Sequence, residues 1–276
     1  MRGAPPIAFV LAVIASAPAA AKNISITLAP TVEVSAGTFT LRVKIGNAGD
    51  EAAQSVTPIL HFGEKETRGQ TKQSLGPNES FDQSLSLPIG DLKPGRWPFQ
   101  LRVDYTDANQ YPFQALQVNA VLVGQPPPAK MTVPLVKPDP LATTSPLHVR
   151  LKNLTGTART VAVSVLVPEG LDVAEPIQPV ALAGWEDKPV TAQLVNRSAL
   201  PGSKYPVYLA AEYDDDAAHQ SVIAQSVVEI VAARSFFERQ RSFIIAGAIL
   251  LAVVWLSIIV WRVSGRASVR PASGRR

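Results

Sequence analysis

The sequence predicts an all-β fold, in which two tandem immunoglobulin-like β-sandwiches are followed by one transmembrane α-helix. Three observations lead to this prediction. Runs of alternating apolar and polar residues fill the body of the chain, and turn-forming residues interrupt them. Four short landmarks occur twice in that body, in the same order. Near the C-terminus, residues 243–261 contain no charged side chain.

Residues 1–21 predict a secretory signal peptide that is removed after export. Arg2 supplies a positive start, an apolar run extends from Ile7 to Ala15, and Ala19-Ala20-Ala21 offers a small-residue cleavage site before Lys22. A retained anchor is the alternative interpretation, but the apolar run is too short to cross a bilayer comfortably.

Each predicted sandwich, residues 22–124 and residues 131–232, is rich in strand patterns. The inward-facing residues of three such strands are Phe39, Leu41, Val43 and Ile45; Phe99, Leu101, Val103 and Tyr105; and Val161, Val163, Val165 and Val167. About seven short strands in some 100 residues are typical of an immunoglobulin-like sandwich. Between the two sandwiches lies a proline-rich linker, residues 125–130, which we expect to be extended and stiff.

The two sandwiches are copies of one pattern, offset by 106 to 108 residues. The matching landmarks are Leu41–Asn47 with Leu147–Asn153, Leu75–Pro77 with Leu182–Gly184, Pro94–Phe99 with Pro201–Val207, and Asp104–Asp107 with Glu212–Asp215. Because all four keep their order and nearly constant spacing, they indicate an internal duplication.

The duplicated pattern resembles that of CARDB-type and related S-layer-associated domains, which are immunoglobulin-like modules of prokaryotic envelope proteins. The residues that carry the resemblance are Asn47-Ala48-Gly49, Leu75–Ser80, Pro94-Gly95 and Val103-Asp104-Tyr105. The resemblance covers residues 30–230, although the second copy departs from the first two motifs. It implies envelope-exposed bacterial modules associated with adhesion or assembly, and it carries over no catalytic residue.

Residues 243–261 predict a single transmembrane helix. A helix of 19 residues, at about 1.5 Å per residue, matches the hydrocarbon thickness of a bilayer. The residues that we expect to anchor the chain are Phe243, Trp255, Trp261 and Arg262. Residues 233–242 form the juxtamembrane segment, and the arginine-rich tail, residues 262–276, predicts a cytoplasmic C-terminus and a type I orientation.

The formal charge of +4 does not indicate a nucleic-acid-binding protein, because the excess of basic residues lies at the two ends of the chain. The segment 22–241 contains 20 basic and 22 acidic residues, whereas the tail contains five arginines and no acid. Since the chain has no cysteine, it has no disulfide, no thiolate metal site and no cysteine nucleophile. We therefore expect membrane and envelope partners and no nucleic acid.

The sequence contains no motif that predicts an enzyme. The G-x-G-x-x-G, G-x-S-x-G and H-E-x-x-H patterns are absent. Gly90–Gly95 has the glycine spacing of a P-loop, but Arg96-Trp97 follows where lysine and serine or threonine are required. His61, His148 and His219 form no ligand pattern. We expect no catalytic residue and no cofactor.

The strongest acidic feature is the run of three aspartates at residues 214–216. Calcium prefers clustered carboxylates, and alternate residues of an extended chain share one face. Asp214 and Asp216 are therefore calcium candidates, although no D-x-D-x-D-G loop accompanies them. An acid-rich turn is the favoured interpretation of this run.

Three aromatic residues beside turn-forming proline or glycine are candidates for binding. Trp97, its counterpart Tyr205, and Trp185 have the flat apolar surfaces that a stacking platform for sugars requires. The alternative is that each ring covers an end of a hydrophobic core, which is the commoner role of an aromatic residue beside a turn.

We therefore expect a non-catalytic, membrane-anchored envelope protein that presents two immunoglobulin-like modules for protein or glycan binding, adhesion or assembly. The expected location is the cell membrane, with a single span and an ectodomain in the periplasm or outside the cell. One alternative is an accessory subunit of an envelope export or polysaccharide complex, in which the helix itself makes contacts. Another is a periplasmic assembly chaperone, since such chaperones also use paired sandwiches.

Overall fold

The computed structural model describes residues 23–215, 218–233 and 241–266. Most of it is β-strand, which confirms the predicted all-β fold. In chain order, the described elements are β1 Ile26–Ser35, β2 Thr38–Asn47, β3 Ala53–Phe62, β4 Lys65–Arg68, β5 Lys72–Leu75, β6 Ser80–Pro88, β7 Gly95–Thr106, β8 Pro112–Val123, β9 Met131–Pro138, β10 Thr144–Asn153, β11 Arg159–Leu166, β12 Leu171–Val173, β13 Val180–Leu182, β14 Asp187–Asn196, β15 Lys204–Asp214, β16 His219–Glu229 and α1 Arg241–Arg266.

The first sandwich packs a three-stranded sheet against a larger one. Strands β1, β2 and β6 form the first sheet; β4, β3, β7 and β8, with β5 also paired to β3, are part of a nine-stranded sheet that continues into the second sandwich. The core is built from the alternate residues predicted on β2 and β7, and those at its centre are Phe39, Leu41, Ile45, Phe99 and Leu101. The period-two pattern therefore identified the inward faces of both strands.

The second sandwich repeats this arrangement. Strands β12, β14, β10 and β9 form one sheet, and β13, β11, β15 and β16 are the remaining strands of the nine-stranded sheet. Its core contains Leu147, Val149 and Leu151 of β10 with Val207 and Leu209 of β15. Each fully buried aliphatic side chain contributes about 1.5–3 kcal/mol, and these apolar faces hold a sandwich that has no disulfide.

A buried asparagine holds the turn after β2 in the first sandwich. The side-chain nitrogen of Asn47 donates hydrogen bonds to the carbonyl oxygens of Glu51, at 2.7 Å, and Leu75, at 3.1 Å. Its side-chain oxygen accepts hydrogen bonds from the amides of Gly49, at 3.0 Å, and Ser25, at 3.3 Å. One side chain therefore joins four separate points of the backbone.

The matched residue of the second copy, Asn153, has the same role. Its side-chain nitrogen donates to the carbonyl oxygens of Thr157, at 2.8 Å, and Ala183, at 2.9 Å, and its oxygen accepts from the Thr155 amide at 3.1 Å. Asn47 and Asn153 are 1% and 0% exposed. The landmark that revealed the duplication is therefore a structural requirement of each sandwich.

The turn before β6 matches the turn before β14, with one substitution of consequence. In each turn a glutamate carboxylate, Glu79 or Glu186, accepts a hydrogen bond from the backbone amide three residues earlier, at 2.9 and 2.6 Å. Asn78 and Trp185 occupy the same left-handed position, with φ of 59° and 60°. Asparagine tolerates this conformation, whereas a bulky tryptophan adopts it at a cost.

Helix α1 follows the second sandwich in the chain. Its described large side chains are apolar and exposed, among them Phe243, Leu251 and Trp255. Among the residues that the structure describes, no helix is found that is long and apolar enough to cross a membrane.

Several predicted segments fall partly or wholly outside the described residues. The predicted signal peptide, residues 1–21, lies outside them, as do residues 234–240 of the juxtamembrane segment and residues 267–276 of the basic tail. Trp261 and Arg262 belong to α1, but their side chains lie outside the described set. For these segments the sequence-based expectations stay predictions.

Replacing either buried asparagine should destabilise its own sandwich. We expect Asn47→Ala and Asn153→Ala each to lower the free energy of unfolding by about 2–4 kcal/mol, because several backbone groups lose their partners inside the protein. Chemical denaturation of the full-length chain measures this change. Gln73→Ala, at an exposed position of β5, is the control and should change the free energy by less than about 0.5 kcal/mol. Equal effects of the buried and exposed substitutions would contradict the prediction.

Candidate functional site at the junction of the two sandwiches

The two sandwiches meet through the outer face of one sheet from each. In β15, Val207 and Leu209 point into the core of the second sandwich, whereas Tyr208 points the other way. Tyr208 packs against Leu116 and Val118 of β8, and these three side chains are only 3% to 6% exposed. The Tyr208 hydroxyl also donates a hydrogen bond to the Leu116 carbonyl oxygen, at 3.0 Å. The junction is therefore an apolar contact with a buried hydrogen bond.

At one end of this junction, strands β7 and β16 meet edge to edge. Gly95 and His219 pair in parallel, and a Cβ on Gly95 would lie 2.2 Å from the His219 carbonyl oxygen. Only glycine fits there, which explains the Pro-Gly landmark at this position. The His219 ring stacks on Trp97, with ring centroids 3.8 Å apart and 17° between the planes.

The His219 ring also lies between two carboxylates of β15. Its Nδ1 is 3.1 Å from the carboxylate of Asp214, and its Nε2 is 3.3 Å from that of Glu212. Burial is the largest single influence and lowers the pKa of His219. The hydrogen bonds to Glu212 and Asp214 and the negative charges of these two residues have the opposite effect. Together they outweigh burial, so the pKa of His219 is raised above its ordinary value. The site therefore favours a protonated imidazole.

Asp215 is the centre of an ion-pair cluster beside the linker. Its carboxylate oxygens lie 2.8 Å from Lys130 Nζ and 2.8 Å from Arg159 Nη1, and its carbonyl oxygen accepts a hydrogen bond from Lys93 of the first sandwich. Arg159 is nearly buried and lies over the ring of Tyr213, 5.0 Å from its centroid. Hydrogen bonds from Lys130 and then Arg159 lower the pKa of Asp215. This one residue joins both sandwiches and the linker.

At the far end of β7, a cleft of about 260 Å³ is lined by aromatic side chains from both sandwiches. We call it the tyrosine cleft, and its rings are those of Tyr105, Tyr111, Phe113 and Tyr205. Phe113 lies between Tyr105, at 5.7 Å between ring centroids, and Tyr111, at 5.2 Å. Burial, and then the neighbouring Tyr205, raise the pKa of Tyr105 to about 12. The cleft therefore presents ring faces and neutral hydroxyl groups.

The structure does not bring together the three aromatic residues predicted as a sugar platform. Trp97 has one face against His219 and lines a cleft of about 210 Å³ with Phe62 and Phe99. Tyr205 lines the tyrosine cleft. Trp185 lines neither cleft and is 68% exposed on its turn.

The structure describes only one of the two calcium candidates. Asp214 is paired with His219, and Asp216 lies outside the described residues. Among the described residues, no group of three or more histidine, aspartate and glutamate side chains could hold a metal ion. The calcium interpretation stays a prediction, as does the absence of a cofactor.

The role of Asp215 was not predicted from the sequence, although the duplication contained a signal for it. Strand β3 begins with Ala53, which pairs with Leu75, and β11 begins with Arg159, which pairs with Leu182. Arg159 therefore stands where the first copy buries an alanine. An arginine at a core position requires an acidic partner, and Asp215 is that partner.

Comparisons with known proteins identify no family for this chain. No family model matches it, and neither does any curated protein. The resemblance to CARDB-type and S-layer-associated domains therefore stays a prediction.

Several solved structures of β-rich proteins show a loose likeness. Salmonella alpha-2-macroglobulin is 14% identical and has a TM-score of 0.33; the match covers 76% of this chain and 16% of that one. Native Escherichia coli alpha-2-macroglobulin is 15% identical and has a TM-score of 0.31; the match covers 76% of this chain and 17% of that one. A Porphyromonas gingivalis W83 protein of unknown function is 11% identical and has a TM-score of 0.28; the match covers 76% of this chain and 99% of that one. This chain thus spans less than a fifth of the macroglobulins, and TM-scores below 0.5 carry no argument about its function.

Removing the charge of Asp215 should destabilise the second sandwich. We expect Asp215→Asn to lower the free energy of unfolding by about 2 kcal/mol or more, because Arg159 is left nearly buried without a counter-charge. The control is Asp172→Asn, whose partner Arg197 is exposed; there we expect a clearly smaller loss, because solvent screens an exposed ion pair. Urea denaturation of both full-length variants at neutral pH measures the difference. Similar losses in the two variants would contradict the prediction.

His219 should make stability depend on pH in a defined direction. Because its pKa is raised by folding, its stabilising contribution is complete below the unfolded value of about 6.5 and disappears as the pH rises through the folded value. We expect the difference in unfolding free energy between the parent chain and His219→Gln to be larger at about pH 5.5 than at about pH 8.5. His61, whose pKa is lowered mainly by burial, is present in both chains and cancels. If the difference in unfolding free energy between the two chains does not vary with pH, His219 does not stabilise the fold through its protonated form.

Proposed function

We propose that this protein is a non-catalytic, membrane-anchored envelope protein whose two docked sandwiches form one binding unit for another envelope protein. The observation that carries the proposal is the tyrosine cleft, which requires both sandwiches and gathers four aromatic rings. The sequence resemblance to prokaryotic envelope modules supports the same location.

Support for the anchor comes from residues 243–261 and from helix α1. These 19 residues carry no charge, and the large apolar side chains described in α1 include successive positions such as Leu250 and Leu251. A helix that is apolar on all sides requires an apolar environment. Since the span includes positions whose side chains lie outside the described residues, the anchor is argued from the sequence.

The tyrosine cleft suits an extended segment of a partner protein. Aromatic-lined grooves bind proline-rich or extended peptides, and tyrosine combines a large apolar face with a hydroxyl group that can exchange hydrogen bonds. Beside the cleft, the Glu169 amide donates to Gln114 Oε1 at 3.0 Å, and the Tyr111 hydroxyl approaches the Ser198 carbonyl oxygen at 3.5 Å. A bound segment would therefore contact both sandwiches at once.

The other functions considered from the sequence have less support. A sugar platform made of Trp97, Trp185 and Tyr205 would need three rings that do not converge, and His219 covers one face of Trp97. An accessory subunit of an export complex would use the face of the membrane helix rather than the cleft. This difference can be tested by exchanging the helix.

Photo-crosslinking in native membranes tests the proposal. A full-length chain with benzoylphenylalanine in place of Tyr111, an exposed residue of the tyrosine cleft, should stay in the membrane after an alkaline wash and form a discrete adduct with one protein. We expect Tyr205→Ala to remove most of the adduct, because the opposite wall of the cleft is lost. Circular dichroism of this variant checks that it is folded.

Two controls separate the outcomes. The same crosslinker at the exposed Gln73 of β5 should give no adduct. Exchange of residues 243–261 for an unrelated apolar helix should leave the Tyr111 adduct unchanged, whereas its loss would favour the accessory-subunit function. Release by the alkaline wash, or an adduct that persists in folded Tyr205→Ala, would contradict the proposal.

A further inference from the structure

A second cleft at the junction, of about 540 Å³, has a different chemical character from the tyrosine cleft. The first sandwich contributes Arg96 of β7 and Ala120 of β8, and the second contributes Ser221 and Gln225 of β16. The linker contributes Pro128 and Ala129. The two clefts share no lining residue, so this site is independent of the proposed function.

Two polar groups in this cleft lack partners within the described part of the chain. Ser221 is only 4% exposed, and its Oγ forms no hydrogen bond there. Arg96 Nε is likewise buried without an acceptor. Buried donors without partners cost free energy, so each such group in a folded protein calls for an explanation.

Arg96 differs from Arg102 and Arg159 in having no carboxylate partner, although the Nε atoms of all three are buried without a hydrogen bond among the described residues. Arg102, on the same face of β7, lies 3.2 Å from the carboxylate of Asp104, and Arg159 is paired with Asp215. Arg96 takes part in no ion pair with a described residue. Its positive charge therefore faces the cleft without a counter-charge from the described protein.

The lining of the cleft is suited to an anion. The described residues that line it include one cation, Arg96, and no aspartate or glutamate, while Asn119 and Gln225 add amide groups. A guanidinium group presents several N–H donors in one plane and binds carboxylate or phosphate oxygens in pairs. The Ser221 hydroxyl can donate a further hydrogen bond to such an oxygen.

We propose that this cleft, the Arg96 cleft, binds a small molecule that carries a carboxylate or phosphate group, with the Arg96 guanidinium and the Ser221 hydroxyl as its donors. A volume of about 540 Å³ lies within the range of roughly 300–1,000 Å³ that small-ligand sites occupy. The site therefore admits a compact acid or phosphate ester, such as one of monosaccharide size.

A ligand in this cleft joins the two sandwiches. It contacts β7 and β8 on one side, β16 on the other and the linker beside them. Because a ligand that binds only the folded state stabilises that state, an anion in the Arg96 cleft raises the stability of the docked pair. Binding is therefore visible as both heat and a rise in the melting temperature.

The test is calorimetric titration of the full-length chain in detergent micelles with sodium phosphate, glucose 6-phosphate and glucuronate. Glucose and sodium chloride serve as controls for the neutral sugar and for ionic strength. We expect saturable binding of at least one of the three anions, accompanied by a higher melting temperature. The comparison of glucose 6-phosphate with glucuronate distinguishes phosphate from carboxylate recognition.

Variants assign the binding to Arg96. We expect Arg96→Gln to weaken the affinity about tenfold or more, since a charge-assisted hydrogen bond is lost, and Ser221→Ala to weaken it less. Arg42→Gln makes the same change of charge at an exposed position of β2 in the opposite sheet and should leave the affinity unchanged. If circular dichroism shows that Arg96→Gln does not fold, the affinity of the double variant Arg96→Lys with Ser221→Ala is measured instead. Absence of saturable binding of all three anions, or equal affinities in the parent chain and these cleft variants, would overturn the proposal.

Discussion

The contact of Tyr208 with Leu116 and Val118 is the interaction on which every candidate site depends, because it docks the outer faces of two sheets. The tyrosine cleft and the Arg96 cleft are each lined by residues of both sandwiches, so neither cleft exists in a separated sandwich. Apolar burial supplies the free energy of such a contact, at about 1.5–3 kcal/mol for each large side chain. Polar groups add less net energy but require defined geometry.

The polar groups around this contact specify how the sandwiches meet. Asp215 binds the linker through Lys130, the second sandwich through Arg159 and the first through Lys93. His219 adds a ring that stacks on Trp97 across the junction. The contacts that cross the junction, from Lys93 to the Asp215 carbonyl oxygen and from Trp97 to His219, hold the two sandwiches in this relative orientation. Two ordinary sandwiches thereby become a single unit with clefts of fixed composition.

The duplication separates what a sandwich requires from what the junction requires. Both copies keep the buried asparagine, Asn47 or Asn153, because its side chain supplies hydrogen-bond partners to backbone groups of the turn that follows it. The copies differ beside the linker that joins them: Arg159 stands in place of the buried Ala53, and its charge is paired with Asp215, which also binds Lys130. Local patterns predicted the first kind of residue well. They could not predict the second kind, since its partner is distant in the sequence and belongs to no periodic pattern.

The sequence by itself determined the strands, their inward faces and the duplication, because period-two alternation and turn residues act over a few neighbouring positions. It also determined the distribution of charge, with a nearly balanced body and a basic tail. Only the tertiary structure decided which outward faces are buried. Arg96, Tyr208 and Ser221 occupy outward positions that would face solvent in an isolated sandwich, and docking encloses them. The physical reason is that alternation distinguishes the two faces of a strand, whereas contact between folded units depends on the shape and chemistry of whole surfaces.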